Sequence, residues 1–419
     1  MKTKSVLVLL FLALPILAEN WPGWRGPAGN GVAQSTSLPD SWSAESNVDW
    51  RLPLDGPAAS TPVIWGDKIF LTYTNEDDFL VMAVSTAGKV LWQEVVGTGN
   101  KSFRQGESNY AAPSPSTDGE NLFAFFGNGD LVSFTLEGKQ IWKRNLADEF
   151  GAFNMYFGMA SSPLLHENSL YVLLMHSDAQ LVLSIDKATG KTVWKHDRKT
   201  NARRENLHSY ASPMIYESEN VTQLIIHGSD VVTGHNMEDG KEIWRCGGLQ
   251  DPDNYNDFLR FVATPVSDGN VLVVPSAKNG PILGLKPDKA MGTITGDKQY
   301  YAWRWDANTT DVPSPLIHDG LVYICRENGV LICIDAETGA EVYKESVYRK
   351  RHRSSLVYGD GKIYISAMDG TISVVAAGRD YKLLAQNKFE EHTAASPAVG
   401  DKTLYFRTYR ALYAISSHK

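Results

Sequence analysis

Six side chains fall in connections that lead into a recurring phrase opened by Ser or Thr: Arg104, Glu107, His208, Arg260, Arg351 and His392. Guanidinium groups offer planar forks to carboxylate or phosphate, and an imidazole beside an acid supports proton transfer. Brought to one opening, the six suit an anionic or sugar-like ligand. Such a set has an ordinary alternative, in which the arginines solvate a rim and pair with its Asp and Glu residues. His208 and His392 would then be hydrogen-bonded wall residues that orient loops. No Ser-His-Asp order, His-metal spacing or Gly-rich phosphate loop accompanies them. The run Arg349-Lys350-Arg351-His352-Arg353 is the single basic cluster. Without an aromatic stacking series, and in a chain of net charge -8, it does not indicate a nucleic-acid partner.

What could bring these residues together is a repeat. Ser60-Thr61-Pro62-Val63-Ile64 leads through two further apolar runs, Lys68–Tyr73 and Leu80–Val84, separated by Gly, Asp and Asn turns, to Gly88-Lys89-Val90-Leu91-Trp92. The phrase restarts at Ser114-Pro115, Ser162-Pro163, Ser212-Pro213, Thr264-Pro265 and Ser314-Pro315, then at a divergent copy with Leu356 in place of Pro, and finally at Ser396-Pro397. Successive starts lie 41 to 53 residues apart, which leaves no room for a packed helix beside four strands. Four short antiparallel strands per unit at this period is the pattern of a propeller blade. The fold expected is all-β, an eight-bladed propeller of four-stranded blades. Its 43% hydrophobic residues supply a sizeable core and exclude a disordered chain.

The eighth copy ends after three strands, whereas Asn47–Leu52 reads as an isolated Trp-closing strand placed before the first copy. Pairing the two closes the ring and leaves no bare edge. Trp92, Trp142, Trp194 and Trp244 end their units and are expected to cover the crevice against the next blade, each indole N–H reaching a backbone carbonyl. Trp21, Trp24 and Trp42 precede the first blade and read as a strap across the ring. Cys246, Cys325 and Cys333 match neither a zinc site nor a redox pair and read as separate buried thiols.

Lys2 and Lys4 followed by the apolar run Val6–Leu14 and small residues to Ala18 have the layout of a secretory signal. The organisation expected is a signal over 1–18, a strap over 19–46 and the propeller over 47–419. No later segment is a transmembrane candidate. The protein is expected to be exported, periplasmic or extracellular, and monomeric.

The phrase Ile185-Asp186-Lys187-Ala188-Thr189-Gly190-Lys191-Thr192-Val193-Trp194, with its echo at Met237–Trp244, resembles the repeat of quinoprotein-type propellers. The resemblance spans Trp50 to Ile415, and the opening Trp21–Gly31 is similar to that of a bacterial exported subgroup. It implies either of two functions, because the group includes dehydrogenases that use pyrroloquinoline quinone with a metal ion and also cofactor-free scaffolds similar to the outer-membrane assembly lipoprotein. This chain has no lipid-attachment cysteine near the signal, and it lacks the two adjacent cysteines many of the dehydrogenases carry. The first reading is therefore an exported binding or scaffold propeller without a cofactor, whose partner is an envelope protein, a carbohydrate or a small anion. The alternative is a dehydrogenase of alcohols or sugars using pyrroloquinoline quinone and calcium.

Overall fold

A computed structural model describes residues 19–43, 46–103, 108–307 and 309–417. The signal expected over 1–18 lies outside them. Eight antiparallel sheets follow one another around a ring. Blades 1 to 7 span 63–98, 116–145, 164–197, 214–246, 266–305, 316–346 and 357–388, and blade 8 combines 398–416 with 48–53. Strand Val48–Pro53 runs antiparallel to Ala411–Ser416, so the N-terminal strand completes the last blade as expected.

The innermost strands converge on the axis, where their backbones cannot pair as sheets and their N–H groups need other acceptors. The Ser or Thr that opens each repeat solves this. Thr61 donates its N–H to the Ser114 hydroxyl at 2.9 Å, Ser114 to Ser162 at 2.9 Å, Ser162 to Ser212 at 2.9 Å and Ser212 to Thr264 at 2.9 Å. The belt continues from Thr264 to Ser314 at 3.0 Å, Ser314 to Ser355 at 3.0 Å and Ser355 to Ser396 at 2.9 Å. At the remaining junction a different device appears. Arg407 of blade 8, fully buried, donates to Ser60 Oγ at 2.7 Å and to the Thr72 carbonyl at 2.5 Å of blade 1.

At the periphery, each closing tryptophan sits opposite a small residue of the third strand. Trp92 faces Ala83, Trp142 faces Ser133 and Trp194 faces Ser184, each beside a bulge that increases the local twist. Their indole N–H groups reach the carbonyls of Leu136, Lys187 and Met237 in the following blade, at 2.9, 2.9 and 3.1 Å. The ring of Trp194 lies on Gly240, whose φ of +72° and lack of Cβ admit the indole; a Cβ there would come within 2.4 Å of it. Trp244 departs from the expectation. It is fully buried and bonds Gln223 Oε1 of its own blade at 2.8 Å, because blade 5 has no matching turn and instead lays Gly292-Thr293 parallel to Trp244-Arg245.

The strap crosses the end of the axis away from the connections. Trp21 exchanges two backbone bonds with Ile64 of blade 1, both 2.9 Å, and Thr117 of blade 2 donates to the Pro22 carbonyl at 2.8 Å. The buried Arg25 guanidinium reaches the carbonyls of Pro315 at 2.6 Å and Ser314 at 3.4 Å in blade 6. Ala33 then pairs with Tyr358 of blade 7, and Trp42 packs on Phe406 with ring centroids 5.3 Å apart. All three cysteines are buried and free. Among the described residues no helix is long and apolar enough to cross a membrane.

A chain starting at Leu54 should melt well below one starting at Asn47, because only the former loses the strand that pairs with Ala411–Ser416. Equal thermal midpoints would refute this closure. Trp244→Ala should cost roughly 3–5 kcal/mol, and the half-buried Trp194→Ala roughly 2 kcal/mol, in urea denaturation.

Candidate functional site

In each blade the connection from the previous blade and the turn between the second and third strands emerge on one face, opposite the strap. A cleft of about 860 Å³ on that face lies over blades 5 to 7. Its cationic walls are Lys278 and Arg326, from turns within blades 5 and 6, and Arg349, Lys350 and Arg351, from the connection into blade 7. Only two carboxylates, Asp311 and Glu327, oppose them along its lining.

The sequence around Glu327 explains the shape. Gly329 follows it in the tight turn at φ +81°, and a Cβ there would strike the Tyr348 carbonyl at 1.8 Å, so only glycine lets the 346–351 connection pass over the turn. His352 fastens that connection. Its N–H donates to the Glu327 carbonyl at 2.9 Å, and its buried ring bonds the Lys350 carbonyl through Nδ1 at 2.8 Å. Burial lowers the His352 pKa, so the ring is a neutral wall group rather than an acid–base candidate at neutral pH.

Glu327 is the hub. It accepts from Lys278 Nζ at 2.8 Å and from Arg351 Nε at 2.8 Å, with Arg353 Nη2 3.6 Å away. Asp311, almost fully buried, receives Arg260 at 3.2 Å and Arg353 at 3.6 Å. Burial pushes both carboxyls up. For Glu327 the bonds from Lys278 and Arg351 outweigh burial and hold it below its ordinary value, whereas Asp311, despite Arg260, stays above its own. Arg349 and Lys350 are exposed and form no ion pair among the described residues, so their charges remain available to an incoming anion.

Arg260 and Arg351 therefore do meet, at a small opening of about 140 Å³ shared with Asp311 and Glu327. His208 does not join them. Its connection turns inward at Arg204–Leu207, and its buried ring bonds Ser177 Oγ at 3.1 Å in a separate groove over blades 2 to 4. His392 is exposed and lines neither cleft; its ring centroid lies 6.3 Å from that of Tyr409. Arg104 and Glu107 lie outside the described residues. A single opening for all six is thus not what the ring builds, since connections over opposite blades stand apart around the rim. Lys278 and Glu327 are not legible as site residues in the sequence, where Glu327 only opens the turn Glu327-Asn328-Gly329. The available signal is that second turns of blades share a face with the connections.

On the axis itself the hydroxyl belt encloses a channel of about 170 Å³, with Trp24 of the strap at one end and Arg260, Arg353 and Met368 also along its wall. The guanidinium of Arg260 stacks 4.4 Å from the ring centroid of Phe157.

Three stretches, 41–172, 157–295 and 296–418, match the family model of outer membrane protein assembly factor BamB. The chain belongs to this family. Moranella endobia BamB is 24% identical over 252 residues, a match covering 58% of this chain and 59% of that relative's length. The chain thus aligns with less than two thirds of that protein. Among solved structures, BamB from Moraxella catarrhalis superposes with a TM-score of 0.64 at 13% identity, covering 87% of this chain and 98% of that one. A europium-containing methanol dehydrogenase superposes with a TM-score of 0.70 at 12% identity, covering 92% and 89%. At such identities the superpositions establish the propeller alone, which the BamB family shares with quinoprotein enzymes.

Burial brings His176 and His235 down to about 4 and His227 to about 3 from an ordinary 6.5. Their unfolded forms bind protons first, so stability is complete above pH 6.5 and lost as pH falls toward 4. The loss should be on the order of 2 kcal/mol per such histidine near pH 5. His235→Gln should flatten the pH dependence of the urea midpoint over this range, and an unchanged slope would contradict the assignment.

Proposed function

We propose that the protein is an exported, cofactor-free binding scaffold that holds an acidic segment of an envelope protein in the cleft over blades 5 to 7. The observation that carries this reading is the surplus of cationic side chains around Glu327 and Asp311 on a rigid ring. The belt and the tryptophan crevices fix the blades, so little ordering is needed when a partner docks. The exposed Arg349 and Lys350 would attract carboxylates from a distance, while the paired Arg351 and Arg353 keep the cleft walls in place. Membership of the BamB family supports a role in handling envelope proteins, and the signal-like 1–18 segment supports export to the compartment where that happens.

A quinone-dependent enzyme is the weaker fit. The axial channel of about 170 Å³ is smaller than the roughly 300–1,000 Å³ usual for a pocket enclosing a cofactor-sized ligand. No group of three or more His, Cys, Asp or Glu side chains among the described residues is arranged to hold a metal ion.

The test is fluorescence anisotropy with a labelled peptide of about eight residues rich in Asp and Glu. Binding should weaken by about ten-fold in the double charge reversal Arg349→Glu and Lys350→Glu, and the difference should shrink as salt screens it. Absence of peptide binding at low salt, or binding indifferent to the reversal, would sink the proposal.

A further inference from the structure

The groove that holds His208 differs in chemistry from the basic cleft. It encloses about 560 Å³ between connections over blades 2, 3 and 4. Four aromatic rings line it: Phe103, Tyr110, Phe153 and Tyr156. Two of them are seated on backbone that admits no other side chain. Tyr110 lies against Gly127, where a Cβ would sit 2.8 Å from the ring, and Phe103 lies against Gly158 at 2.5 Å. Tyr156 packs beside the His208 ring with centroids 5.6 Å apart, yet it remains 53% exposed. An aromatic ring held in place with half its surface in water presents a stacking platform whose ordering cost has already been met by the fold.

The polar groups fit the same kind of ligand. Asn154 stands exposed next to Tyr156; its Nδ2 donates to Asp178 Oδ2 at 3.4 Å, which leaves its second N–H and its acceptor oxygen for a ligand. The buried His208 ring keeps Nε2 on Ser177, while its Nδ1, enclosed behind the groove wall, has no partner among the described residues. Among the described residues that line the groove there are two cations, Lys101 and Arg204, and no carboxylate. Arg204 is shared with Asp257 at 3.5 Å, whereas Lys101 sits 5.7 Å from the Phe103 ring centroid and forms no ion pair among the described residues. A pyranose has an apolar face of C–H bonds and a rim of hydroxyls, so it needs an aromatic surface flanked by amides and an imidazole. A ring carboxylate would in addition meet the unpaired ammonium.

We propose that this groove binds an acidic saccharide, with one pyranose stacked on Tyr156 and its carboxylate held by Lys101. The proposal is independent of the acidic-segment reading, which concerns the other side of the rim.

Tetragalacturonic acid and its carboxyl-reduced counterpart are the probes, titrated into the full protein by calorimetry and followed by saturation-transfer NMR. The acid should receive saturation on its ring protons. Tyr156→Ala should weaken it about ten-fold, and Lys101→Met about five-fold, without shifting the thermal midpoint, since both side chains are exposed. Lys101→Met should leave binding of the reduced sugar unchanged, and Lys350→Glu in the basic cleft should leave both sugars unaffected. Absence of transfer at about millimolar sugar, which is weaker than roughly 4 kcal/mol of binding, would overturn the proposal. So would reduced sugar binding as tightly as the acid, affinity indifferent to Tyr156→Ala, or loss of sugar binding on Lys350→Glu, which would move the ligand to the basic cleft.

Discussion

Eight innermost strands approach one axis, and the N–H groups they present there must be satisfied without sheet pairing. The hydroxyl belt from Thr61 to Ser396 meets that constraint, each Ser or Thr accepting from its counterpart in the preceding blade. The proline that follows most of these residues holds the preceding backbone extended and has no N–H of its own to satisfy. One small motif thus links neighbouring blades at seven of the eight junctions. The junction of blades 8 and 1 is closed differently, by Arg407 crossing to Ser60 and Thr72 and by the N-terminal strand on Ala411–Ser416. A buried guanidinium is costly, and although Nε and Nη2 of Arg407 have no partner among the described residues, both bonds from its Nη1 span the seam that the repeat itself leaves open.

The strap and the connections divide the molecule's two ends. Trp21, Arg25 and Trp42 tie one end across blades 1, 6, 7 and 8, and Trp24 stops the channel there. Chemistry is left to the opposite face, where connections of unequal length produce two grooves of contrasting character. One is cationic and organised about Glu327; the other is aromatic and organised about Tyr156 and His208. Both have walls seated on glycines, Gly329 in the first and Gly127 and Gly158 in the second, so their shapes are properties of the backbone.

Charge pairing explains why the arginines of the rim are not equivalent. Arg260 and Arg353 share the buried Asp311, and removing that carboxylate would leave two guanidiniums crowded together. Arg349 and Lys350, four and three residues before Arg353 in sequence, reach solvent. Rim solvation and site formation are therefore both present in the run 349–353. Which role a residue takes depends on whether its side chain points toward the blade 6 turn or away from it.

The amino-acid sequence by itself determined the architecture. Turn residues, strand-length apolar runs and the Ser/Thr-Pro anchors recur in register, and local chemistry of that kind acts over a few residues wherever it occurs. The missing fourth strand of the last copy even identified Asn47–Leu52 as its partner, because an unpaired edge is a deficit readable from counting. The repeat likewise foretold the crevice role of Trp92, Trp142 and Trp194, but not the inward turn of Trp244, which follows from the irregular segment of blade 5. Tertiary structure alone decided the sites. Arg260 and Arg351 meet while His208 stands apart, and Lys278 joins Glu327 across 49 residues of sequence. In a ring, contact between side chains on different connections depends on blade adjacency and loop direction, and neither is encoded in the type or spacing of the residues that carry the charge.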